Sequence, residues 1–293
     1  MLAERLASYD PRSDDIIDHS VELYFRLRVV FVTYFVSVLV VIFMPSSFVE
    51  GTFLLENYKP AVITELEWVL EWATRDITNA NFRLTIGSPM AVVVAYLFLG
   101  MLIAFALNVP FIFYQFYLFT KPGLYPHEQQ LVKNLMYAGS GLFAVGALFG
   151  FLLMPLVTNT LVGFGDTLDY DRLVQYYDLG RVVEFLFWSV IATGLLFTYP
   201  IFVIGLVVTG VLTTNDLQNR RRHVMAALLG ITMIVTPDPT PVSMIVLTVP
   251  LVLLYEITLN VAYKIEMNPD FQTIRDRFDT QIDKIASYEP AGD

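Results

Sequence analysis

Apolar residues occur along this chain in long runs, not in the short alternating clusters of a water-soluble core. A helix needs about 20 apolar residues to cross about 30 Å of hydrocarbon. Six stretches are candidates: Val29–Met44, extended to Phe48; Met90–Phe113, ending beyond Pro110; Leu135–Leu153, stopped by Pro155; Val182–Val208, with Pro200 inside it; Val224–Val235; and Val242–Ala262. Backbone polar groups cannot go unpaired in lipid, so all six are expected as helices. The expected fold is all-α: a six-span membrane domain over 28–264, between tails at 1–27 and 265–293.

The last two spans meet at Thr236-Pro237-Asp238-Pro239-Thr240-Pro241, where three prolines in six residues forbid helix continuation. Only 13 residues separate Arg222 from Thr236. At about 1.5 Å each they cover about 20 Å, less than the bilayer core. A re-entrant hairpin is one solution; two short spans in locally thinned lipid is the other, and the charged flanks favour it. Lysine and arginine then set the orientation. Thirteen of the eighteen fall on the side of the N-tail, the loops near 119–134 and 212–223, and the C-tail, and five on the other side. Both termini are therefore expected in the cytoplasm. Of the two outer segments, 49–87 and 155–181, the first carries Trp68 and Trp72 among Glu65, Glu67 and Glu71. That pattern suits an interfacial amphipathic helix or a loop helix packed on the spans, with equal weight.

Composition agrees. Of 293 residues 56% are apolar and 16% charged, against about a quarter charged in soluble proteins. The net charge of −10 argues against a nucleic-acid partner. Its acid sits in the tails and polar loops, which points to a halophilic host, ordinary solvated tails being the alternative. There is no cysteine, so no disulfide or thiol chemistry is available. The histidines are His19, His127 and His223, too scattered for a zinc site. No cleavable signal peptide is evident, because the first apolar run follows a long polar tail. Enzyme motifs are missing: His127-Glu128 opens like a zinc motif, but position 131 is leucine. No enzymatic activity, cofactor or metal is expected.

The informative charges stand at span edges. Glu22 precedes the first span beside Arg26 and Arg28, and Glu128 lies in the first inner loop near Phe119, Tyr125 and His127. Each is either a solvated interface charge or part of an acidic site for a basic peptide, since carboxylates accept guanidinium groups bidentately. Glu184 and Glu256 lie near or within spans, where an ionisable group usually faces protein or water. Glu256 and Asn260 share a helix face, and Glu256 is either functional or anchored at the inner interface with Lys264.

The run from Tyr114 through Phe119, Lys121-Pro122-Gly123-Leu124-Tyr125-Pro126 to His127-Glu128 resembles the first cytoplasmic loop of the TatC family, the six-span receptors of the twin-arginine translocase. Ser88-Pro89, Met154-Pro155-Leu156, Asp216-Leu217 with Arg220-Arg221, Thr236-Pro237, Pro250 and Tyr255-Glu256-Ile257 follow in the family's order. His19-Ser20-Val21-Glu22-Leu23 is similar to its entry to the first span. The resemblance covers roughly residues 16–264. It implies a multi-pass protein of the cell membrane that binds the paired arginines of folded precursor proteins. It also implies recruitment of single-span TatA- or TatB-like subunits into a homo- or hetero-oligomer driven by the proton-motive force. Glu22 and Glu128 would then bind the signal peptide, with Phe119, Pro122 and Arg26 shaping the site. Three departures stand out. Tyr24 replaces an arginine, Thr198 stands where the family has a glutamate before Pro200, and Asp238 and Thr240 compete for the last outer acidic position. Partner contacts through Thr198, Glu184, Glu256, Asn260 or Asp238 are thus less defined than the receptor site. A small-molecule transporter or channel is the competing function. It predicts polar groups converging at the midplane, whereas here the strong charges lie toward the edges.

Overall fold

The computed structural model describes residues 11–45, 60–75, 77, 82–123, 126–166, 175–208, 211–235 and 241–267. The elements in chain order are α1 (Pro11–Phe43), α2 (Ala61–Thr74), β1 (Phe82–Thr85), α3 (Pro89–Thr120), α4 (Pro126–Asp166), β2 (Gln175–Asp178), α5 (Leu179–Phe197), α6 (Tyr199–Val208), α7 (Thr214–Asn219), α8 (Arg221–Val235) and α9 (Pro241–Glu266). Five stretches are long and apolar enough to cross a membrane: Ser20–Phe43, Pro89–Thr120, Gln129–Gly163, Leu179–Val208 and Ser243–Glu266. The α8 helix has 15 residues, about 22 Å at 1.5 Å per residue, so the expected shortness of the fifth helix holds.

Two expectations need correction. The sixth helix is not short: α9 runs 26 residues, starting on Pro241 and passing through Pro250. Proline at a helix's first position forfeits nothing, because that N–H has no intrahelical acceptor. Pro155 does not stop the third span either, since α4 continues for eleven residues to Asp166. The N–H that proline lacks would have met the Phe151 carbonyl four residues back, and Trp72 Nε1–H donates to that carbonyl instead at 3.3 Å. The fourth span is one apolar stretch over Leu179–Val208, as expected, with a break at Thr198 that divides it into α5 and α6. Beside the helices, β1 and β2 add one small parallel pair, Phe82 opposite Gln175 and Thr85 opposite Asp178, to the expected all-α fold. The Thr236–Thr240 hairpin, including Asp238, lies outside the described residues, as do Leu124, Tyr125 and both tail ends.

The tryptophan-bearing helix is packed on the spans. Its apolar face buries Val62, Leu66, Val69 and Ala73. These join Ala95 and Leu99 of α3, Met154 of α4 and Val183, Leu186 and Val190 of α5 in one core cluster. Trp68 and Trp72 both stack on Phe151, at ring-centroid distances of 5.8 and 5.9 Å. Thr158 Oγ1 donates to Ala73 O at 2.5 Å, satisfying a carbonyl in the last turn of α2.

Close contact between α4 and α5 rests on glycine. A Cβ at Gly146 would lie 2.5 Å from Phe197 Cβ and 2.9 Å from the Thr193 carbonyl; one at Gly194 would lie 2.6 Å from Phe143 Cε2. Helices in lipid have little hydrophobic drive to associate, so small residues that let backbones approach supply the packing.

Candidate functional site

The α1 and α3 helices run antiparallel, and their contacts fix the register. Tyr96 OH donates to Ile42 O, and Tyr34 OH donates to Met101 O at 3.3 Å with its ring edge-on to Phe105. From that level, Glu22 lies twelve residues toward one end of α1 and Phe119 fourteen residues along α3. At 1.5 Å per residue these are about 18 and 21 Å in the same direction. Glu22 and Phe119 therefore stand at one end of the helix pair. Phe119 is half-buried in the last turn of α3, and Pro122 is exposed in the 3-10 turn Lys121–Gly123. Glu128 follows in the first turn of α4, so its backbone belongs to the same end. Its side chain lies outside the described residues.

Arg26, one turn after Glu22, donates from Nε to Glu22 Oε1 at 2.9 Å, and Nη2 reaches the same oxygen. Four-residue spacing on a helix puts the two side chains side by side. Side-chain exposure is 24% for Arg26 and 33% for Glu22, so the pair is held against the helix surface and still open to an incoming group.

The other predicted residues separate. Glu256 pairs with Arg221 at the start of α8; Lys264, the basic residue near it along the same helix, is exposed two turns further on. This ion pair is one of three ties across the same end of α9. Tyr255, fully buried, donates to Leu217 O at 2.8 Å, and Glu266 accepts from Thr214 N–H at 3.1 Å. Within α7 itself a reciprocal capping box joins Thr213 and Asp216. Asp216, Leu217, Arg221, Tyr255 and Glu256 stood among the sequence motifs, but nothing in the one-dimensional order shows that they form one cluster. Asn260 is exposed one turn beyond Glu256.

Thr198 is buried at the α5–α6 break, its hydroxyl donating to Leu195 O at 2.6 Å. Next to it, Tyr199 OH donates to Leu251 O of α9 at 2.7 Å. Glu184 is far from this point and pairs with Arg181 at 3.1 Å. Both line an open groove of about 380 Å³ with Trp188, Ser189 and Val235. Asp178, which the sequence did not single out, ties two segments at that end: it caps α5 by accepting from Arg181 N–H and also accepts from Gly87 N–H at 3.0 Å.

Residues 18–250 match the family described as Sec-independent protein translocase protein (TatC). Proteins of that name from Halothiobacillus neapolitanus and Aquifex aeolicus are 34% and 32% identical over 55% of this chain. The matched regions span 43% and 66% of those relatives. A third, from Halalkalibacterium halodurans, is 30% identical over 86% of this chain and 90% of its own length. A crystal structure of a twin-arginine translocase receptor, TatC, in DDM matches with a TM-score of 0.61 at 24% identity, covering 83% of this chain and 99% of that one. At that identity the likeness speaks for the fold.

Proposed function

The chain belongs to the TatC family of Sec-independent translocase proteins, and from that premise we propose that it is the receptor and core subunit of a twin-arginine translocase. In this reading it binds the signal peptides of folded precursor proteins and recruits single-span TatA- or TatB-like subunits for export driven by the proton-motive force. The observation that carries the reading is the family match over residues 18–250. The chain spans the cell membrane six times with α8 as the short fifth crossing, and both termini are cytoplasmic. The basic loops supply the motive for that orientation, and the acid-rich tails fit a high-salt host.

Glu22 and Glu128 accept the two signal arginines at the cytoplasmic end of α1, α3 and α4, with Phe119 and Pro122 forming the adjoining surface. Two exposed pairs of this kind add little, about 1 kcal/mol each at most. Partial desolvation against Phe119 with fork geometry raises each charged hydrogen bond to about 1.5–3 kcal/mol. Nothing in the comparisons favours a small-molecule transporter.

The test is co-purification from native membranes. Twin-arginine precursors and single-span subunits are expected with the chain; solute uptake with neither present would overturn the reading.

A further inference from the structure

The groove of about 380 Å³ beside Arg181 opens where α8 stops. Val235, the last residue of α8, is the only residue of that helix in its lining, and the others all belong to α5. Below the rim, Phe185, Trp188 and Ala192 follow Arg181 along one stripe of that helix. Trp188 is exposed, and the Ser189 oxygen is shut away from the groove. The wall that an occupant meets is therefore apolar. From Arg181 to Ala192 the helix rises about 16 Å, at 1.5 Å per residue. That is one leaflet's share of a hydrocarbon core of about 30 Å. A partner helix crossing the whole bilayer would need a seam twice as long.

The rim supplies charge. The Arg181 side chain is 81% exposed, and Nη1 donates to Glu184 Oε2 at 3.1 Å. Among the described residues no other hydrogen bond reaches this guanidinium, and its remaining N–H groups suit phosphate oxygens. The leaflet follows from the packing. Asp178 binds Gly87 beside the start of α3, whereas Glu22 stands by the other end of that helix. Arg181, three residues after Asp178, thus faces the leaflet opposite the Glu22 end.

We propose that this groove is a seat for one phospholipid of that leaflet. An acyl chain lies along Phe185, Trp188 and Ala192, and the headgroup phosphate rests on the Arg181 guanidinium. The lipid fills the face of α5 that α8 leaves uncovered. The proposal stands on the groove alone and does not need the receptor reading: a chain that binds no twin-arginine peptide would still take the lipid.

The experiment titrates the full chain in detergent with two lipids that share brominated acyl chains. One carries a phosphatidylglycerol head and the other an uncharged galactose head. Bromine quenches tryptophan, and the signal of Trp188 is the difference between the native chain and Trp188→Phe. Quenching by the phosphate lipid should saturate, with a midpoint about three- to tenfold lower than that of the sugar lipid. Arg181→Gln should bring the two midpoints within about twofold. Arg83→Gln, which removes another exposed cation at the same end, should leave the preference intact. Ala192→Phe fills the groove and should raise both midpoints about tenfold, with folding checked by circular dichroism. Quenching that never saturates, equal midpoints in the native chain, or a preference that survives Arg181→Gln would overturn the proposal. So would an Ala192→Phe chain that binds lipid normally and loses co-purifying single-span subunits, because the groove would then belong to a partner helix.

Discussion

Trp72→Phe isolates the bond that lets α4 pass through Pro155. The substitution keeps a ring to stack on Phe151 and removes the Nε1–H that meets the Phe151 carbonyl at 3.3 Å. That carbonyl is the acceptor Pro155 cannot serve, so it loses its side-chain donor in a packed part of the molecule. Stranding a buried acceptor costs about 1–3 kcal/mol, and a part-buried bond of this length belongs in the lower half of that range. Pro155→Ala supplies the comparison, because alanine returns an N–H that can close the ordinary helical bond to Phe151 O. In that background Trp72→Phe should cost only the lost ring area and the weaker ring face beneath Arg75, leaving a coupling of about 1 kcal/mol between the two sites. Packing lost at the nearly fully buried Pro155 cancels in the double-mutant cycle. The assay is unfolding of detergent-solubilised protein in an SDS titration, followed by far-ultraviolet circular dichroism. Additive effects within about 0.3 kcal/mol would refute the idea that tryptophan stands in for the missing amide.

Gly146→Val should destabilise the α4–α5 contact by about 1–3 kcal/mol, because the new atoms meet the Thr193 carbonyl as well as Phe197; unchanged unfolding in the same titration would count against the close approach. Tyr255→Phe should cost more than Glu256→Gln, since the first strands Leu217 O beneath a buried ring. The second gives up an ion pair whose partners are 51% and 35% exposed, worth about 1 kcal/mol or less; the reverse order of the two unfolding midpoints would contradict this. Glu128→Gln should weaken binding of a twin-arginine peptide about tenfold or more, measured by anisotropy, with native affinity as the refuting result.

The spans are legible because lipid makes a single demand, a long apolar run, and five of the six runs fall in helical stretches long enough to cross it. What the runs do at proline was not. Pro155 reads as a stop until Trp72, 79 residues away from Phe151, is known to supply the missing donor. The sixth helix outgrows its apolar run at both ends, by Pro241 at the start and by the largely polar residues 263–266 at the finish, which apolar patterning alone does not register. The strands escaped notice because each has four residues and its partner is remote. At the candidate receptor site the i,i+4 spacing of Glu22 and Arg26 is explicit in the sequence, and their placement at the same end as Phe119 needs the α1–α3 register. For Glu256 the nearer basic residue along the helix was Lys264, and Arg221, 35 residues away, is the one that folding delivers.

The Asp178 tie bears on the order in which the protein can be made. Gly87 and Asp178 are 91 residues apart, and at about 5–20 residues per second a ribosome needs roughly 5–20 s to cover that distance. Throughout that interval β1 has no strand to pair with and the Gly87 amide has no carboxylate. The first three long helices must therefore be inserted with this junction unfinished. It closes only when the start of α5 emerges, so the same aspartate that begins α5 also completes the work of residues made long before it. A chain interrupted between α4 and α5 would leave an unpaired strand edge, the kind of surface by which quality-control proteases and chaperones distinguish an incomplete membrane protein from a finished one.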